Sequence, residues 1–345
     1  MSNEWPTHLT PPSIQGVFRS TPEDFQVEEI PAYPPSGEGS HLMLLLEKRE
    51  RNTEDVAREI ARQLGCRRED LGYAGLKDRH AVTRQWMSVP AVCAPRLETF
   101  SMDGVQILDK GFHRNKLKTG HLRGNRFRIR LRELSPHDPL QLKERLDRLS
   151  AQGMPNYFGA QRFGMAGNNA EQGKALMQGK GRPPQPRILR LLLSAVQSEL
   201  FNDVLAARIR QGLFLQAIQG DLMAKEESGG IFLCAEPGVD QSRLEAKEIH
   251  PTGPLFGPQM KQPEGEILQM ERQILTASGL DDASFQRYSR LTAGTRRPLR
   301  LLLGDPQLES AEDGVILAFS LPAGGYATCV LRELLIAREG SKGPR

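Results

Sequence analysis

The two ends of this chain read alike and its middle does not, and that limits its possible folds more than any other feature. Residues 25–30 and 41–46 are strand-like, and Pro31, Pro34, Pro35 and Gly37 make the connection between them too proline-rich for a helix. Near the other terminus, residues 300–303 and 315–321 are again strand-like, and Ala327, Val330, Leu331, Leu334 and Leu335 form a helical stripe. Between the ends, residues 159–187 are rich in Gly, Gln, Asn and Pro and read as loops and a hinge. Leu189, Leu192, Leu193, Val196, Leu200, Phe201, Val204 and Leu205 then recur at helical spacing. The pattern predicts an α+β core built from both ends, 1–153 and 302–345, with a second domain, 154–301, inserted in it. A length of 345 residues suits two cores better than one.

Within the first segment, Asn52 or Thr53 can cap a helix that carries Glu54 and Asp55 in its first turn, Val56, Ile60 and Leu64 on one face, and Gly65 as its stop. Short strand candidates follow at 73–76 and 83–89. The turn between them holds one acid, Asp78, among Lys77, Arg79, His80 and Arg84. Cations close to an aspartate favour its ionised form, as suits a nucleophile or an electrostatic stabiliser, and the same cations can grip phosphates. An ordinary surface ion-pair turn has the same composition.

Residues 110–132 contain nine Lys or Arg and no acid, and Arg126, Arg128, Arg130 and Arg132 alternate with Phe127, Ile129 and Leu131. This is a strand with an arginine face. Like charges aligned on one face repel, so the stripe points to an anionic partner such as nucleic acid, or else to an edge strand guarded by charge. The total charge of +4 says little beside that clustering. Cys66, Cys93, Cys234 and Cys329 lie far apart and give neither a zinc spacing nor a disulfide framework; they read as reduced thiols of a cytoplasmic protein. The amino terminus lacks a basic region followed by an apolar run, and no long uninterrupted apolar stretch occurs, so neither export nor a membrane is indicated. Gly179-Lys180-Gly181 lacks the glycine spacing of a phosphate-binding loop. The proline- and glycine-rich run 250–258 reads as a rigid non-helical path, with His250 a ligand or base only if a partner exists. Residues 339–345 read as a loose tail.

Six segments taken together carry a resemblance. They are Pro22-Glu23-Asp24-Phe25, Ala74-Gly75-Leu76-Lys77-Asp78-Arg79-His80-Ala81-Val82-Thr83, Gly124-Asn125-Arg126-Phe127, Pro155-Asn156-Tyr157-Phe158-Gly159-Ala160-Gln161-Arg162-Phe163-Gly164, Ser198-Glu199-Leu200-Phe201-Asn202 and Leu321-Pro322-Ala323-Gly324-Gly325-Tyr326-Ala327-Thr328. In this order the chain resembles the TruD family of tRNA pseudouridine synthases. The resemblance implies a pseudouridine synthase core with a mixed, mostly antiparallel sheet flanked by helices, and an inserted α/β TRUD domain. It implies isomerisation of a uridine in tRNA, uridine 13 in the family, with no cofactor and no metal. Asp78 is carried over as the nucleophile, and Phe25, Asn125 and Phe127 as the residues that hold the target base. Taken alone, those three read rather as a turn asparagine and two core phenylalanines.

Tyr326 stands where many members have Phe, and is read as binding. Arg19 stands where a Lys is expected near the aspartate, and as a potentially bidentate partner it could orient Asp78. Lys77, Arg79, His80, Arg84, Arg126 and Arg128 are candidate RNA contacts or, for those on the turn, residues that hold it. The inserted domain would close a cleft over tRNA, with Arg162, Lys174, Lys180 and Arg182 opposite the arginine strand. The partner is tRNA; no protein partner or coiled coil is indicated, so the chain reads as a monomer. Two other functions fit parts of the pattern: a catalytically silent RNA chaperone, and an RNA hydrolase using Asp78 and His80 as base and acid.

Overall fold

The structure, a computed structural model, describes residues 5–340. In chain order the elements are β1 (Gln15–Phe18), β2 (Phe25–Pro31), β3 (His41–Arg49), α1 (Thr53–Leu64), β4 (Gly72–Tyr73), β5 (Val82–Pro90), β6 (Val105–His113), β7 (Leu122–Leu131), α2 (Asp138–Gln152), β8 (Met154–Pro155), α3 (Asn169–Met177) and α4 (Pro186–Arg210). They continue with β9 (Leu222–Lys225), β10 (Ile231–Leu233), α5 (Pro237–Glu245), β11 (Ile249–Leu255), α6 (Gly265–Ala277), α7 (Asp282–Gln286), β12 (Thr295–Pro298), β13 (Arg300–Leu301), β14 (Gly304–Ala311), β15 (Gly314–Pro322), α8 (Ala327–Leu334) and β16 (Ile336–Glu339). Two compact units result. One comprises Ser13–Asp147, Leu303–Ala327 and Leu334–Arg345, the other Met1–Pro12, Arg148–Leu302 and Thr328–Glu333.

The first unit is built on an eight-stranded mixed sheet in the order β14-β15-β7-β2-β5-β3-β6, with β4 paired to β5. Only β2 and β5 run parallel within it; the other pairs are antiparallel. The ends of the chain meet in a separate parallel pair, β1 with β16. Because side chains alternate across a strand, Leu42, Leu44 and Leu46 of β3 and Met87 and Val89 of β5 share one face, and α1 buries Val56, Ala57, Ile60 and Leu64 on it. Each fully buried Leu, Ile, Val or Met among them contributes about 1.5–3 kcal/mol. Helix α1 ends where expected: Gly65 takes the left-handed conformation at φ +66°, and its N–H bonds to Ala61 O. The candidate strand at 73–76 is shorter than expected, since only Gly72 and Tyr73 pair.

The second unit holds a four-stranded sheet, β10-β9-β11-β12, the pair β13-β8, and α4 with its buried stripe. Two sequence expectations are corrected in this unit. The loop-like stretch after 159 contains α3, whose buried Gly173 approaches so closely that an added Cβ would lie 2.5 Å from Leu192 O. A helix packed through small residues carries little periodic hydrophobicity, so its period is faint in the sequence. The proline-rich run is strand β11: residues 249–251 pair only with β9 and 252–255 only with β12, so each half has an unpaired side that tolerates proline. The amino-terminal segment groups here because both carboxylate oxygens of Glu333 accept from the N–H groups of His8 and Leu9.

Candidate active site

Asp78 sits in the irregular turn between β4 and β5, and four anchors fix that turn. Thr53, the first residue of α1, accepts the Lys77 N–H at 3.0 Å and donates to Gln85 Oε1 at 2.9 Å. Gln85 Nε2 in turn donates to Gly75 O at 3.3 Å. Lys77 Nζ lies 2.6 Å from Glu29 Oε2, with the two side chains only 4% and 1% exposed. Lys48 Nζ donates to Asp78 O at 3.1 Å and to Arg51 O at 2.7 Å. A turn held at both flanks by buried groups has few conformations left, as a residue doing chemistry requires.

The Asp78 carboxylate itself is 30% exposed, and Arg19 Nη2 reaches its Oδ2 at 3.0 Å. Arg19 Nη1 bonds Glu339 at 2.9 Å, so a residue 59 positions before Asp78 and another near the end of the chain close one side of the site. The Arg19 guanidinium carbon lies over Phe25, 3.9 Å from the ring centre. Arg19 also takes a left-handed backbone at φ +58°, which costs energy for a residue with a Cβ and which the surrounding bonds must hold. Below Phe25 the rings continue: Phe25 to Phe127 at 6.2 Å, and Phe127 to Phe319 at 5.4 Å.

The sequence-derived residues thus divide. Arg19, Asp78, Phe25 and Phe127 are joined by direct contacts, and Asn125 shares the face of β7 that carries Phe127. Phe25 and Phe127 are 1% and 6% exposed. Asn125 Oδ1 is shielded from solvent and has no hydrogen-bond partner among the described residues. Tyr326 is half-buried, at the turn that leads into α8. Arg79 and His80 are exposed. Lys77 points inward to Glu29, so its ammonium is a turn anchor and is not presented to solvent as a phosphate ligand would be.

The arginine stripe is corrected in two ways. Arg126 and Arg128 project from β7 opposite to Phe127, away from the face carrying Asp78's partners. Neighbouring strands also bring carboxylates to them: Glu28 lies 3.7 Å from Arg126 and Glu309 lies 3.6 Å from Arg128. Arg84 bonds Glu47 at 2.8 Å, and Arg130 and Arg132 share Asp313 and the buried Asp24. The face is cationic along one strand and mixed across the sheet. In the second unit Arg162 bonds Ser198, Lys174 pairs with Glu199, and Lys180 and Arg182 are exposed. His250 has partners after all: Arg300 Nε donates to its Nδ1 at 2.8 Å and Glu226 lies 2.7 Å from its Nε2. Burial and the Arg300 charge lower its pKa, against the pull of Glu226, which marks a buried structural histidine.

Lys48 and Glu29 escaped the sequence reading, although for Lys48 a signal existed. Lys48 continues the inward register of Leu42, Leu44 and Leu46, and a lysine there must bury its ammonium. Burial lowers its pKa to about 8, with Asp78 opposing and Lys77 reinforcing the shift. Glu339, assigned to a loose tail, closes β16 and holds Arg19; residues 341–345 of that tail lie outside the described residues. Among the described residues no group of three or more His, Cys, Asp or Glu could hold a metal ion, and no helix is long and apolar enough to cross a membrane.

The architecture matches a crystal structure from Methanosarcina mazei assigned to tRNA pseudouridine synthase D, with a TM-score of 0.78, 24% identity, and coverage of 96% of this chain and 95% of that one. The fold class is therefore the α+β fold of that structure, a mixed sheet flanked by helices. The family model of tRNA pseudouridine synthase D (TruD) matches residues 7–183 and 184–334. A tRNA pseudouridine synthase D of Anaeromyxobacter sp. is 44% identical over 94% of both chains, and one of Thermus thermophilus is 44% identical over 94% of this chain and 90% of its own. The chain belongs to the TruD family of tRNA pseudouridine synthases, isomerases that modify tRNA.

Proposed function

We propose that the protein converts uridine 13 of tRNA to pseudouridine with Asp78 as the nucleophile. The observation that carries this reading is the Asp78 carboxylate: partly open to solvent, gripped on one oxygen by Arg19, and mounted on a turn whose backbone is pinned by buried groups. A carboxylate fixed in this way can act at the ribose C1′ as the N1–C1′ bond breaks. The released uracil turns, its C5 bonds to C1′ as the Asp78 carboxylate leaves that carbon, the C5 proton is lost to solvent, and N1 gains one. Product and substrate are isomers, so no other reactant is required.

The base must leave its stack to reach such a carboxylate. Asn125, through its shielded acceptor Oδ1, would take the N3–H of the uracil edge, and Tyr326 would stack on the ring. Arg79 and His80, exposed beside Asp78, would meet phosphate. In this reading the unit built on the eight-stranded sheet is the catalytic core, and the unit that contains most of 154–301 is the inserted domain that engages tRNA. The protein works as a cytoplasmic monomer without a protein partner.

Asp78→Asn provides the test. It should leave tRNA affinity within a few-fold and abolish tritium release from uridine labelled at C5. Carbodiimide-primer extension on wild-type product should stop at position 13. Retained release refutes the nucleophile, and an undiminished wild-type substrate with tight binding would favour the chaperone reading. Chain cleavage on a gel would favour hydrolysis.

A further inference from the structure

We propose that Lys48 is a positioning residue for catalysis: its buried ammonium fixes the main chain of Asp78 and supplies the positive charge beneath the catalytic turn. This rests on the assignment of Asp78 as nucleophile. Lys48 is 1% exposed, and its Nζ joins Arg51 O, at the entry to α1, to Asp78 O, the carbonyl of the nucleophile itself. A lysine placed only for packing would carry its charge to solvent along its flexible stem. This one gives up solvation and faces no carboxylate at ion-pair distance among the described residues. Its hydrogen bonds go instead to two carbonyls, so the desolvated charge is kept where it reaches Asp78.

The surroundings define how that charge behaves. From the turn, Asp78 favours the ammonium and Lys77 opposes it, while Lys77 is itself committed to Glu29 of β2. From β5 the cross-strand neighbour is Thr83, whose buried Oγ1 has no hydrogen-bond partner among the described residues, and from β6 it is Val105; neither titrates in the working range. Arg19 approaches the Asp78 carboxylate from β1's end. Loss of the Lys48 proton, near pH 8, therefore leaves Arg19 and Lys77 in place but weakens the grip on the Asp78 carbonyl and removes one charge from under the turn. The consequence is an alkaline limb in kcat, with KM for tRNA unchanged.

The experiment is the pH–rate profile of tritium release, from pH 6 to 10, for wild type, Lys48→Met and Lys48→Arg, with tRNA affinity and thermal melting measured alongside. Wild-type kcat should fall with a midpoint near pH 8 while KM stays level. Lys48→Met should lose roughly tenfold to a hundredfold in kcat at pH 7, the scale of small misplacements, with affinity within about threefold. Lys48→Arg, charged throughout the range, should retain more activity than Lys48→Met and lack the limb near pH 8. Wild-type kcat in Lys48→Met, or a limb near pH 8 that survives in Lys48→Arg as ionisation of uracil N3–H would give, overturns the proposal. Should both variants misfold, the wild-type profile decides: kcat level through pH 8 overturns it. An active Asp78→Asn refutes the nucleophile assignment, whereas an inactive Asp78→Asn beside a fully active Lys48→Met refutes the role of Lys48 alone.

Discussion

Replacing Lys77 by Met tests whether the catalytic turn is anchored by a buried ion pair. The Lys77 and Glu29 side chains are 4% and 1% exposed and 2.6 Å apart, and Glu29 Oε1 also accepts the Trp86 N–H at 3.4 Å. Met fills nearly the same volume, so the packing loss is small and the dominant effect is a buried carboxylate without its cation. Breaking one side of such a pair costs about 3–5 kcal/mol. With a urea slope of about 2 kcal/mol per M, the midpoint should fall by about 1.5–2.5 M. The chain has two tryptophans, Trp5 and Trp86, so in a Trp5→Phe background the fluorescence of Trp86, next to the pair, follows this unit alone. Adding Glu29→Gln to Lys77→Met removes the stranded charge and keeps an acceptor for the Trp86 N–H. The double variant should therefore recover to within about 1–2 kcal/mol of the parent. A Lys77→Met protein destabilised by less than 1 kcal/mol, a value on the order of an exposed pair, refutes the buried anchor. So does a double variant no more stable than the single one.

Two further outcomes are expected. Replacing Arg126 and Arg128 together by Gln should change kcat/KM by less than about threefold and leave the salt dependence of tRNA binding intact, because both project from the face opposite Phe127 and each has a carboxylate neighbour; a salt slope lower by about two in a filter-binding titration would restore them as phosphate contacts. Burial pushes the Asp24 carboxyl up, but hydrogen bonds from Arg132 and the Thr21 N–H, with the charges of Arg132 and Arg130, outweigh it and hold its pKa below the ordinary value. Its stabilisation is thus complete above the unfolded value and disappears as pH falls through the folded one, so wild-type stability should drop below about pH 4 and Asp24→Asn should drop less steeply, as read by urea midpoints at successive pH values.

Much of the fold is legible in local chemistry. The apolar register of 41–46, the capped helix ending at Gly65 and the long stripe after Leu189 each report a single element through its own period, and the structure contains all three. Helix α3 was illegible because two of its four buried residues are Ala170 and Gly173, the latter at close approach, which leaves only Leu176 and Met177 as large apolar residues on its packed face. At the site, the turn around Asp78 and the resemblance of its flanking residues to a family were visible as a string. The partners of that turn were visible only in part: Arg19 through the resemblance, Lys48 as an unread exception in an apolar register, and Glu29 and Glu339 not at all.

The sequence by itself determined the family, the elements that carry a clear local period, and the presence of one carboxylate among cations in a turn, since these depend on residues near one another along the chain. Tertiary structure decided which cations serve that carboxylate. It turned Lys77 inward, placed Lys48 beneath the turn, brought Arg19 to Asp78 and Glu339 to Arg19, and set Arg126 and Arg128 on the opposite face among carboxylates. The reason is physical: electrostatic pairing depends on distance and burial, and both are fixed by strand order and pleat across residues as far apart as Arg19 and Glu339.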